Sequence, residues 1–275
     1  MWLNRDLLLK YSDDAIAPRT WKSFFELLNE IEKNSRKFLI TVDDPSQNTL
    51  VFESLVLGLH GSEFYSGTLE EFNYQLLKSA EMVNVFEVLS RLRPYLRNPQ
   101  YDSWESASAA LKSGSGSVMF AGDWVKLFMR DEYGQLSKSI TCEPLPEASA
   151  TFLYNLNSVV FFQDTLSSEI TELSKVLLTE STLTDLNINA GSIPAQLDIT
   201  PWGFDQCGVR SMREFRSAHT LDSLRPSLAA GMAASEVVQR SVYDSINAFV
   251  NSTSMTPEDG ARQLAKAVKV ALYRI

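Results

Sequence analysis

Amphipathic helical runs that alternate with short apolar strands constrain the fold of this chain more than any other feature. Trp21, Phe24, Phe25, Leu28 and Ile31 recur at spacings of three and four behind Thr20, a residue able to cap, and predict a core-facing helix. Phe38 to Val42 follows as a buried strand, closed by Asp43, Asp44 and Pro45. Helical patterns return at 48–59, 68–78 and 81–96, the last with Met82, Val85, Phe86, Leu89, Leu92 and Leu96 as its apolar stripe. Asp102 with Glu105 gives a capping-box pattern for a helix ending near Gly114, and Val118 to Ala121 then runs as a strand into Gly122, Asp123 and Trp124. Ile140 to Glu143 and Thr151 to Phe162 read as further strands, and Glu169 to Thr179 as helix. Near the end, Pro257 at a first helical position, with Glu258 and Asp259 in the first turn, opens a last helix lined by Ala261, Leu264, Ala265, Val268 and Leu272. Helices outnumber strands and alternate with them, which predicts an α/β layer architecture; no internal repeat is visible.

Charge removes whole classes of partner. Acidic residues outnumber basic ones 34 to 25, leaving a net charge of −9 with no Lys/Arg block, so nucleic acid is disfavoured. The longest apolar stretch, 151–162, is broken by Asn155 and Asn157 and is too short and polar to span a bilayer. Residues 1–20 carry Arg5, Asp6, Lys10, Asp13 and Asp14 where a secretory leader needs an apolar run, so the sequence as written has no signal peptide and reads as cytoplasmic. Cys142 and Cys207 lack metal-ligand spacing; separate buried thiols are the commoner reading for such a pair, a single disulfide the alternative.

Enzyme chemistry finds little support. His60 and His219 have no Cys or carboxylate at metal-ligand spacing, and no nucleophile elbow, phosphate loop or dinucleotide fingerprint occurs. The Ser113–Ser117 stretch is glycine-rich but follows a helix and precedes a strand, the reverse of a phosphate cradle, and reads as a turn. The acid pairs Asp13-Asp14, Asp43-Asp44 and Glu70-Glu71 lie in polar punctuation and read as solvated caps. Neither a catalytic role, a metal nor a cofactor is expected. Asp123 and Trp124 are the strongest ligand candidates: a carboxylate that accepts hydroxyl hydrogen bonds beside a ring that can lie on an apolar C–H face. The competing reading makes Asp123 a helix cap and Trp124 core.

An ordered set of motifs gives a more specific reading. Trp2-Leu-Asn-Arg-Asp-Leu-Leu-Leu-Lys-Tyr11 with Pro18-Arg-Thr-Trp21 is followed by Phe52-Glu-Ser-Leu55, Tyr101-Asp-Ser-Trp104 and Ala121-Gly-Asp-Trp124. Asn189-Ala-Gly-Ser-Ile-Pro-Ala195 and Ser211-Met-Arg-Glu-Phe-Arg216 come next. The series resembles the extracellular solute-binding proteins, family 1, of sugar ABC transporters, most of all their glucose/galactose branch. The resemblance implies a type II periplasmic-binding-protein-like fold, with residues 1–150 and 196–275 forming the second lobe and 151–195 a returning piece of the first. It also implies that a leader and most of the first lobe are not represented, and that the family's location is periplasmic. A sugar and a membrane permease are the implied partners, and Asp123 the implied ligand contact. Trp2, near the lobe crossing, could face the cleft, and Asn157 stands where the branch carries an aspartate. Trp21 and Trp104 match positions read as structural, and Trp202 falls on a loop. Ala190 stands in place of a basic residue and Pro226 of a histidine, so monosaccharide binding by this chain alone is expected to be weak. The apolar strand 151–162 would need cover from a second copy, another polypeptide or a local refold. The alternative function is a degenerate fold serving as a protein-interaction or regulatory module without sugar binding.

Overall fold

The computed structural model describes residues 1–11, 17–33, 37–148, 151–162 and 168–274. Its central sheet has the order β2-β3-β1-β4, from β1 (Trp2–Asn4), β2 (Lys37–Ile40), β3 (Gly116–Met119) and β4 (Ile140–Cys142). β2 and β3 are parallel, with Leu39 opposite Val118, while β1 runs antiparallel to both β3 and β4. Strands β2, β3 and β4 therefore all end on the same side. Between β2 and β3 the chain crosses through α3 (Gln47–Tyr65), α4 (Ala80–Leu96) and α5 (Trp104–Ser113). Both faces of the sheet are covered, which is why its strands read as continuous apolar runs. One cluster joins Leu3, Leu39 and Val118 to Phe24, Phe52, Phe86 and Phe249. The other joins Trp2, Ile40 and Met119 to Leu111 and Val125.

The helix ends follow local chemistry. After the short α1 (Arg5–Tyr11), Thr20 caps α2 (Trp21–Lys33) by accepting the Ser23 N–H at 3.1 Å. Thr256 and Asp259 form a capping box at the start of α10 (Pro257–Leu272). In α5 the expected Asp102–Glu105 box is replaced by Ser103, whose extended backbone lets its hydroxyl accept the Ser106 N–H. Asp102 instead accepts the Ser106 hydroxyl. The helix predicted at 48–59 continues to Tyr65 through a kink at Gly61 (φ 79°, ψ −178°), a backbone open to glycine. The one predicted at 68–78 shrinks to a π turn at Ser66–Glu70 and a 3₁₀ turn at Leu76–Lys78. Asn73 explains the break, because its side chain takes the N–H groups of Gln75 and Leu76.

The strand expected over 151–162 is the largest local correction. Only β5 (Phe152–Tyr154) is a strand, paired in parallel with β6 (Leu224–Pro226). A strand must pass its backbone groups to a neighbour, and β6 is only three residues long. Residues 155–162 are irregular and leave Leu156, Val159, Val160 and Phe162 exposed. Helices α6 (Ser168–Leu177) and α7 (Glu180–Ala190) follow and bury no residue. The chain then passes through α8 (Gln206–Thr220) and β6 to α9 (Glu236–Asn251) and α10. The acid pair Asp13-Asp14 lies outside the described residues. Among those residues no helix is long and apolar enough to cross a membrane.

Candidate functional site

Because β2 and β3 run parallel, the loops that leave them open side by side at the carboxyl edge of the sheet, the position where α/β folds gather ligand groups. After β2, Val42 bridges to Tyr101, whose carbonyl accepts the Asp43 N–H at 2.8 Å. This turn presents Asp44. Its carboxylate accepts the Ser46 N–H at 2.8 Å, the Ser46 hydroxyl at 2.6 Å and the Trp104 indole N–H at 3.0 Å. Burial alone would raise the Asp44 pKa, but these donors outweigh it and hold the carboxyl below its ordinary range.

After β3 the chain winds into a 3₁₀ segment, Asp123–Met129. Its Trp124 ring lies over Gly122, where a Cβ would come within 1.8 Å of the indole, so only glycine leaves room for the ring. Trp104 meets Trp124 edge to face, with centroids 6.2 Å apart and planes at 89°. Beneath them Trp2 is 4% exposed and donates its indole N–H to the Gly122 carbonyl at 3.0 Å. Trp2 thus packs under the site as its floor. Burial pushes the Asp123 carboxyl above its usual range; the Lys126 charge and the backbone N–H groups of Asp123 and Trp124 pull the other way. Lys126 is itself buried and pairs with Asp205 at 3.1 Å, at the N-cap of α8.

Two further ties bring α7 and α8 to this edge. Arg130 donates to the Ile188 carbonyl, and Gly191 turns so close to the Asp123 carbonyl that a Cβ would lie 3.2 Å from it. Cys142 and Cys207 form a disulfide, with Cα atoms 5.8 Å apart, in place of the separate thiols expected. The sheet edge and the first turn of α8 meet there, a proximity that a linear separation of 65 residues conceals. Arg210 reinforces the junction through the Cys142 carbonyl and an ion pair with Glu143 at 2.6 Å.

Of the residues read from sequence, Asp123, Trp124 and Trp2 come together. Asn157 stands exposed in the irregular segment 155–162, and the contacts that join the other three do not include it. Sequence reasoning passed over Asp44 and Trp104, read as a solvated cap and a core ring. The available signal for Asp44 was its place directly after a buried strand. Trp202 is 87% exposed on its loop, as expected. Among the described residues no cluster of three or more His, Cys, Asp or Glu could hold a metal ion.

No family model matches the chain. A protein of Brucella suis biovar 1 named "Probable sugar-binding periplasmic protein" is 25% identical over 275 residues, covering 98% of this chain and 64% of its own length. A protein of the same description from Mesorhizobium japonicum is 26% identical over 272 residues, with the same coverage. The chain thus spans just under two thirds of the length of these relatives. Among solved structures, a bacterial solute receptor with an exclusive preference for β-D-galactopyranose superposes with a TM-score of 0.76 at 12% identity, covering 98% of this chain and 69% of its own. A chitin oligosaccharide binding protein gives 0.73 at 14% identity, with 98% and 68% covered. The fold is that of the sugar solute-binding proteins. The α/β, periplasmic-binding-protein-like architecture expected from the motifs is therefore present, whereas nothing in these relatives singles out the glucose/galactose branch. Within this fold the two facing indoles, the Asp44 carboxylate bonded to Trp104 and the Asp123 carboxylate next to Trp124 lie at the strand-end edge.

Proposed function

We propose that this chain is the larger part of a carbohydrate-binding component of an ABC transporter, periplasmic and without a catalytic step. One observation carries the reading: Trp104 and Trp124 meet at right angles beside Asp44 and Asp123, in a fold shared with curated relatives named for sugar binding. A pyranose has an apolar C–H face that stacks on indole and a rim of hydroxyls that donate to carboxylates. Asp123 and Trp124 make the direct contacts, Asp44 and Trp104 brace them, Trp2 supports the floor, and Asn157 reaches the ligand from the returning segment. Residues 1–150 and 196–275 form one lobe and 151–195 belongs to the other, so that ligand is held by closure of the two and the closed form is offered to a permease. The exposed apolar residues of 156–186 and the unburied α6 and α7 support that division, because such a surface is what a lobe presents before its remaining elements cover it.

Calorimetry with glucose, galactose and short oligosaccharides tests the proposal. The chain alone should bind at about millimolar Kd or weaker, and Trp124→Ala or Asp123→Ala should each weaken the best sugar by about tenfold or more. Sugar binding that both substitutions leave untouched would remove this edge as the site. Micromolar glucose affinity would show that the second wall is not needed.

A further inference from the structure

The most heavily bonded buried carboxylate lies away from the candidate site. Glu53, in the middle of α3, is 0% exposed. Its Oε1 accepts the Ser227 hydroxyl at 2.6 Å, and its Oε2 accepts the Leu228 N–H at 2.7 Å and the Ala229 N–H at 3.2 Å. The Tyr65 hydroxyl lies 3.0 Å from the same Oε2 and 2.8 Å from the Pro226 carbonyl. The partners at 226–229 form the stretch where β6, coming back beside β5, re-enters the body of the fold. A single carboxylate thus fastens the returning strand to the central helix.

The arrangement is one proton short. The Tyr65 hydroxyl has a single proton and two acceptors within reach, so with Glu53 ionised it serves one and leaves the other. A proton taken from solvent onto Oε2 lets Glu53 donate to Tyr65 while Tyr65 donates to Pro226; Ser227 keeps its bond to Oε1, and the Leu228 N–H, which already reaches the Tyr65 oxygen at 3.2 Å, shifts toward it and leaves Oε2 to the Ala229 N–H. We propose that Glu53 and Tyr65 form a buried proton-binding site whose occupancy sets how firmly the returning strand is held. The inference does not depend on what the carboxyl edge of the sheet binds.

The surroundings favour the proton. Burial pushes the Glu53 carboxyl up to about 6 although four hydrogen bonds oppose the rise. Burial, followed by the Glu53 charge, also raises the Tyr65 phenol. From the π turn Glu70 faces Tyr65, and it is answered by Arg225 of β6 at 3.6 Å. From α9 Tyr243 donates to the Ala229 carbonyl and feels the Glu53 charge, and neutral Gln239 donates to the Leu228 carbonyl at 3.0 Å. α4 meets α3 with apolar groups, Phe86 against Phe52. The sign follows: the folded pKa lies above the ordinary 4.5, so ionised Glu53 costs stability above about pH 6, and that cost is relieved as pH falls through the window between the two values.

Carboxyl carbon-13 NMR of the chain should place the Glu53 midpoint near 6, and a midpoint at the ordinary glutamate value overturns the proposal. Between about pH 7.5 and about pH 5, the unfolding equilibrium constant of the wild type should fall on the order of tenfold relative to Glu53→Gln, whose neutral amide imitates the protonated acid at every pH. Tyr65→Phe, which removes one of the hydrogen bonds that favour ionised Glu53 and leaves its burial in place, should carry the Glu53 midpoint above that of the wild type. An equal pH response in the wild type and Glu53→Gln would show that Glu53 is a static anchor. Since the NMR midpoint is read on the wild type, failure of a variant to fold leaves the test intact.

Discussion

Phe86 and Phe162 carry the same side chain to opposite ends of exposure, 0% and 98%. Phe86 sits where α3, α4 and α9 meet, with Phe52 at 5.4 Å and Phe249 at 4.7 Å. Gly260 brings α10 onto the same spot, since a Cβ there would lie 2.6 Å from the Phe86 ring. Around Phe162 the apolar residues are just as dense, with Leu156, Val159 and Val160 all exposed. Apolar content alone therefore does not make a core. Facing elements at the right distance do, and the body of the fold supplies them while residues 155–162 lack them. A well-packed body can in this way carry an exposed flank, because its own burial does not draw on the residues of 155–162.

Cutting into the sealed region should produce the largest effect. Phe86→Ala empties a site walled by two other rings and should cost about 3–5 kcal/mol, read as a drop in the urea midpoint with unchanged slope. A loss under about 1 kcal/mol would mean that the body collapses around the gap as freely as the flank, and the contrast between the regions would fail. The Cys142–Cys207 link comes next. It joins the site edge of the sheet to α8 across 65 residues, and a disulfide typically contributes about 2–4 kcal/mol, with the chain-entropy account of so long a closure at the upper end. Replacing both cysteines by serine should lower stability by that amount and loosen α8 more than α4 in amide exchange. Equal loosening of both helices would place α8 inside the sealed region.

The same contrast explains what the sequence could disclose. The stripe of Met82, Val85, Phe86, Leu89 and Leu92 is legible because each member is buried, so period and environment agree. α10 is legible because Thr256, Pro257 and Asp259 settle its start locally. The run 151–162 misled because an apolar sequence promises a strand only if a neighbour exists to pair with it, and pairing is a property of the fold. The candidate site was half visible. Asp123 and Trp124 lie in one motif, but Trp104 reaches Asp44 across 60 residues, and that bond exists because the bridge between Val42 and Tyr101 sets the start of α5 beside the exit of β2. The disulfide was hidden for the same reason. Glu53 stood in a quoted motif, yet its partners at 227–229 are more than 170 residues away, so nothing local marked it as the hub of a network.

The smallest expected effect probes the flank itself. Val160 and Phe162 give up no packing when replaced by serine, being 64% and 98% exposed, so Val160→Ser with Phe162→Ser should change unfolding free energy by no more than about 0.5 kcal/mol. The pair should nevertheless alter behaviour in solution, because removing two large apolar groups from a surface patch reduces its tendency to associate. Light scattering at rising concentration should then show less association for the double variant than for the wild type, with both unfolding at the same urea concentration. A destabilisation of about 2 kcal/mol or more, the scale of burying such side chains, would mean that something covers these residues in solution, and dilution would distinguish the cases. Stability that falls with dilution assigns the cover to a second copy of the chain. Stability independent of concentration assigns it to the chain's own residues, in which case the flank is a small core and the distinction drawn from Phe86 and Phe162 dissolves.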